Sequence, residues 1–114
     1  MDKIDTLKNF LKENPQDNFL QHALALEYIK SGKDAEARIL FETLLSRDPA
    51  YTGSYYHLAK LLERIGEKDE AIRIYETGMA ACKKEGDRHA YNELQAAREQ
   101  TDDSDKWWVM NWEW

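Results

Sequence analysis

The sequence is poor in the residues that mark secreted, membrane-spanning or nucleic-acid-binding chains. It holds a single cysteine, Cys82, so no internal disulfide can form, and a reducing compartment is expected. Only two prolines, Pro15 and Pro49, interrupt its 114 residues. Basic charge is scarce: 16 Lys and Arg stand against 22 Asp and Glu, a net charge of -6. Proteins that hold a phosphate backbone generally present a basic face, so a nucleic-acid partner is not expected. No apolar run approaches the roughly 18 residues that cross a bilayer, and no signal-peptide pattern opens the chain. A soluble cytoplasmic protein without a membrane partner is the expectation. Tryptophan is absent from the first 106 residues, and all four then fall in the last eight.

What is present is a duplication. GKDAEARILFET, Gly32 to Thr43, returns 34 residues later as GEKDEAIRIYET, Gly66 to Thr77. The same shift carries Asn14-Pro15 to Asp48-Pro49, Leu24-Ala25 to Leu58-Ala59, Glu36-Ala37 to Glu70-Ala71 and Phe41 to Tyr75. A fixed period without insertions signals stacked supersecondary units, each unable to bury its apolar face alone. Pro15 and Pro49 end the preceding helices, because proline disfavours helical geometry in the residue before it. Gly32 and Gly66 close helices by entering left-handed geometry.

Apolar spacing predicts six helices. Residues 2–13 carry Ile4, Leu7, Phe10 and Leu11 on one face, and residues 17–31 carry Leu20, Leu24, Ala25 and Tyr28. Ala37, Leu40, Phe41, Leu44 and Leu45 face inward from 34–46; Tyr55, Leu58, Ala59 and Leu62 do so from 53–65. Ala71, Tyr75, Met79 and Cys82 follow on 68–84, and Ala90, Tyr91, Leu94 and Ala97 on 88–100, where Asp87 is the expected N-cap. The expected organisation is a helical repeat domain over 1–100. Within it, 1–14 form a half-repeat cap, 15–48 and 49–84 two full repeats, and 87–100 a capping helix. Residues 101–114 read as an acidic hinge and a Trp-rich tail. Trp108, Met110, Trp112 and Trp114 alternate, which an extended strand would place on one side.

Together these positions resemble the tetratricopeptide repeat family. Its 34-residue unit carries a bulky residue, Leu-Gly and Tyr on the first helix, then small, aromatic and small residues on the second, with a proline between units. Repeat two supplies Tyr55, Leu58-Ala59, Leu62, Gly66, Ala71, Tyr75 and Gly78; repeat one supplies Gln21, Leu24-Ala25, Tyr28, Gly32, Ala37, Phe41 and Leu44. The departures are Ala25 and Ala59 for Gly, Gln21, Leu44, and Lys83 where a third proline would fall.

The resemblance implies an all-α, right-handed α-solenoid of antiparallel helix pairs whose first helices line a concave groove for a protein or peptide partner. The peptide-binding positions would be Phe19, His22, Leu26, Ile29, Tyr56, His57, Lys60 and Arg64. Of these, Phe19, Leu26, Ile29 and Tyr56 are apolar anchors, and Lys60 and Arg64 set polarity. The same stripe includes Glu63, and on the closing helix His89, Asn92, Glu93 and Ala96. Some relatives grip a terminal carboxylate with Lys, Asn and Arg; His22, Leu26 and His57 stand at the matching positions, so that grip is not expected.

No Ser/His/Asp set, phosphate loop or isolated carboxylate pair is present, so no catalytic residue, enzymatic activity or cofactor is expected. His22 and His57 lie on neighbouring helices, but a metal needs three or four ligands, and none is expected here. Cys82 reads as a small core residue. The tail residues Trp107, Trp108, Met110, Trp112 and Trp114 are docking groups with several open destinations. These are the chain's own groove or last helix, the groove of a second copy in a homodimer, an external partner, or no partner at all if the segment is appended.

Overall fold

A computed structural model describes residues 2–112, with side chains as far as Thr101. The described residues form six α-helices and no strand: α1 Lys3–Glu13, α2 Asn18–Lys30, α3 Asp34–Arg47, α4 Gly53–Arg64, α5 Lys68–Glu85 and α6 Arg88–Trp112. Each helix packs on the next in chain order, and α4 also meets α6. Among the described residues the main packing of α1 is on α2, and the helices form an open array measuring 59 × 32 × 19 Å rather than a closed bundle.

Local chemistry starts and stops these helices. The Asp2, Asp17 and Asp87 carboxylates accept hydrogen bonds from the Asp5, Leu20 and Ala90 amides at 2.8, 2.9 and 3.1 Å, capping α1, α2 and α6. Gly32 and Gly66 turn each pair at φ 74° and 87°, a region that strains any side chain. The repeat also explains one departure from the family pattern. Tyr55 donates its hydroxyl proton to the Pro49 carbonyl at 2.7 Å, and Gln21, one period earlier, donates its amide to the Pro15 carbonyl at 2.9 Å. Two different side chains thus tie the same turn to the same helix.

The core is one continuous cluster running through α2 to α6, with Ala25, Ala37, Ala59 and Ala71 wholly buried where helices approach closely. Ile4, Leu7 and Leu11 of α1 lie half-buried against it, but Phe10 is 52% exposed, against expectation. Phe10 sits at the edge of the α1 stripe, and no earlier described helix exists to cover that edge. Leu61 and Ser54, which spacing did not single out, are completely buried.

The largest correction concerns the C-terminal segment. α6 continues from Arg88 to Trp112, through the expected boundary at residue 100, the expected hinge and much of the expected extended tail. Two causes are evident. No Gly or Pro occurs between 88 and 112, and Asp and Ser weaken a helix by only about 0.7 kcal/mol each or less. Thr101 is also anchored: it is 3% exposed, and its hydroxyl is shared between Glu63 Oε1 and the Ala97 carbonyl, both at 3.0 Å. The side chains of Trp107, Trp108, Met110 and Trp112 lie outside the described ones, and Trp114 lies outside the described residues. Among the described residues no helix is long and apolar enough to cross a membrane.

Candidate functional site

The first helices of the two repeats, α2 and α4, present the stripe that helical spacing assigned to a partner. Phe19 is 70% exposed, more than any other large apolar residue whose side chain is described. Leu26 and Ile29, farther along α2, are half-buried, with one edge on the core. On α4, Tyr56 is likewise half-buried, and Lys60 Nζ lies 5.8 Å from the centre of its ring. His89, Asn92, Glu93 and Ala96 of α6 are exposed.

His22 and His57 meet between these helices. Their ring centroids are 5.5 Å apart, edge to face. Both rest on Phe41, which is wholly buried: it lies 5.7 Å from His22, edge-on, and 6.3 Å from His57, nearly parallel. His22 Nδ1 is 2.7 Å from Ser54 Oγ, a hydroxyl that would otherwise be a buried polar group without a partner. Burial lowers the pKa of both imidazoles, and His57 lowers that of His22 further; Glu93 partly offsets the effect on His57. At neutral pH the middle of this face is therefore uncharged and hydrogen-bond capable. Among the described residues no group of three or more His, Cys, Asp or Glu gathers to hold a metal.

Both cations assigned to ligand polarity have carboxylate partners within the chain. The Arg64 guanidinium grips Asp34, at the start of α3, through Nη2 at 2.9 Å and Nε at 3.2 Å. Lys60 is looser, 3.7 Å from Glu63 and about one-third exposed. Such exposed pairs contribute roughly 0–1 kcal/mol each. Arg64, 47% exposed, thus also ties the two repeats together, while Lys60, 36% exposed, is the more loosely paired cation.

Glu63 itself has a role that spacing did not reveal. It accepts hydrogen bonds from the Tyr75 hydroxyl and from Thr101, joining α4 to α5 and α6. Burial and the Glu63 carboxylate push the Tyr75 phenol far above its usual range. A signal was present in the repeat. Repeat one pairs Ile29 with Phe41, and repeat two pairs Glu63 with Tyr75, so a carboxylate and a hydroxyl enter together. Cys82 is 1% exposed, and burial raises its thiol pKa, as for an inert core residue.

Comparison with known proteins agrees with the period. The description Tetratricopeptide repeat matches residues 54–88 and again residues 20–51. A tetratricopeptide repeat domain protein from Salinibacter ruber is 41% identical; the match covers 76% of this chain and 88% of that one, with a TM-score of 0.73. A protein from Bordetella parapertussis has the same fold at 24% identity, covering 93% of this chain and 92% of the other, with a TM-score of 0.81. Interferon-induced protein with tetratricopeptide repeats 3, from Mus musculus, is 31% identical over 71 residues, 62% of this chain. The matched segment spans 18% of that mouse protein's length.

Proposed function

The chain belongs to the tetratricopeptide repeat family, and from that premise we propose that it captures a peptide segment of another protein along the face formed by α2 and α4. Tetratricopeptide repeats are in general non-catalytic scaffolds for protein–protein contact. The observation that carries the finer reading is the exposure of Phe19 in line with half-buried Leu26, Ile29 and Tyr56. A rigid helical scaffold holding partly exposed apolar groups in register loses little entropy on binding, so their burial is converted into affinity. Aliphatic or aromatic side chains of the peptide would meet these anchors. The uncharged His22 and His57 would offer hydrogen bonds to its backbone, and Lys60 would favour an acidic residue near Tyr56. Selection from a displayed peptide library tests this reading. Enriched peptides should carry spaced apolar residues and should lose binding to a Phe19→Ala, Tyr56→Ala variant. Absence of enrichment, or enrichment indifferent to that variant, would contradict it.

A second reading, self-assembly through the C-terminal segment, draws on the length of α6. Arg98 pairs with Glu76 at 2.6 Å. In that antiparallel register Lys106 falls opposite Lys68, the first residue of α5, and the backbone of 107–112 runs on past it. A continuous helix does not fold back onto its own α2–α4 face, so the occupant of a second chain's face would be a helix end. Deleting residues 106–114 and measuring mass in solution tests this: a monomer before and after deletion would dismiss it.

A further inference from the structure

Where repeat one meets repeat two, α2 and α4 each pack on α3, and the contact between His22 and His57 bridges them directly. Tyr51, in the turn before α4, stands 5.7 Å from the His22 ring, and Tyr56 lies edge-on to His57 at 5.6 Å. Together with Phe41, these rings surround the pair. We infer that the His22–His57 contact is a proton-operated clasp, which joins the two repeats across the α2–α4 face when neutral and releases them when protonated. The inference rests on the reading of that face as the binding surface and names its regulation by pH.

The groups around the pair decide the direction of the response. α3 contributes the uncharged Phe41 ring, and the turn before α4 contributes the Tyr51 hydroxyl, whose pKa is raised by burial and by Asp17 and Asp48. α4 contributes Tyr56 and, one turn beyond His57, the Lys60 ammonium. α6 contributes Glu93, among the described residues a carboxylate that favours a charged His57, and it is outweighed by burial. Ser54 Oγ can donate to Nδ1 or accept from it, so its bond survives either state and does not hold the ring neutral. A first proton thus enters a half-buried site, and a second must enter beside it. Both steps are easier when the rings separate and hydrate, so acid favours the open arrangement by linkage.

The test uses the free, full-length chain and therefore stands apart from peptide capture. The imidazole and backbone amide resonances are followed by NMR from about pH 8 to about pH 5. Both rings should titrate below their ordinary value of 6.5 and in separate steps, as interacting sites do. Amides of α2 and α4 should shift with the same midpoints. In thermal melts, the wild type should lose more stability between about pH 7.5 and about pH 5.5 than a His22→Gln, His57→Gln variant. Rings that titrate at 6.5 or above, or that titrate without moving α2 and α4, would overturn the clasp while leaving the binding face intact. Ordinary clasp behaviour with no peptide enriched in the library selection would instead remove the binding face alone.

Discussion

A Cβ built on Gly78 would stand 2.7 Å from the Cβ of Tyr55 and 2.9 Å from Cδ1 of Leu94. α5 therefore meets α4 and α6 at a point where only a hydrogen fits. In repeat one the equivalent pair is Leu44 with Gln21, so bulk has moved from the first helix to the second. Gly78→Ala should gain about 1 kcal/mol of helix propensity and lose more through overpacking, which costs roughly 1–3 kcal/mol. A net loss of stability in urea unfolding is expected; a more stable variant would show that the helices are free to move apart.

The Glu63–Tyr75 bond makes a paired prediction. Tyr75→Phe strips the half-buried carboxylate of a donor and should cost on the order of 1–3 kcal/mol. Adding Glu63→Ile reproduces the Ile29–Phe41 pair of repeat one and should recover most of that loss. A double-mutant cycle in denaturant measures the coupling. Additive losses would mean that the two residues act independently.

Much of this architecture was legible because the period repeats its own punctuation. Prolines, glycines and apolar spacing located the helices to within a residue or two, apart from the end of α6. The exchange of Ile29 and Phe41 for Glu63 and Tyr75 was visible in the alignment of the copies, but its meaning depends on a tertiary contact. Phe10 misled because an apolar stripe does not say whether a neighbouring helix covers its edge. The length of α6 is not legible because acidic residues suggest a break, although they only weaken a helix and Thr101 holds this one in place. The Arg64–Asp34 pair is not legible from spacing on α4 alone, since the partner lies on α3.

Asp87 links acid sensitivity to α6. It caps α6 at Ala90 and accepts the Thr52 hydroxyl at 2.6 Å, and the Thr52 bond, then the Ala90 amide, hold its pKa below the usual 3.8. A lowered folded-state pKa stabilises the protein above 3.8, and that stabilisation disappears as pH falls through the folded value. Asp87→Ala should therefore lower the melting temperature at neutral pH, and the gap to wild type should narrow below 3.8. A gap that stays constant with pH would deny the ionised cap its role.

Arg64 separates an internal tie from a ligand cation. Arg64→Met should change stability by less than about 1 kcal/mol, as exposed pairs do, and should leave affinity for a selected peptide unchanged. A large loss of affinity with stability intact would show that Arg64 serves the peptide as well as Asp34.

The central claim is that α2 and α4 hold a peptide through Phe19 and Tyr56. Titration calorimetry of a library-selected peptide against wild type, Phe19→Ala, Tyr56→Ala and, as a control, Ile39→Ala tests it most directly. Ile39 is 63% exposed but belongs to α3, outside the stripe. The account predicts at least about a tenfold loss of affinity in the double variant, as for truncation of anchor residues, and none at Ile39. Equal affinities across the series, or a loss at Ile39 matching that of the double variant, would contradict it.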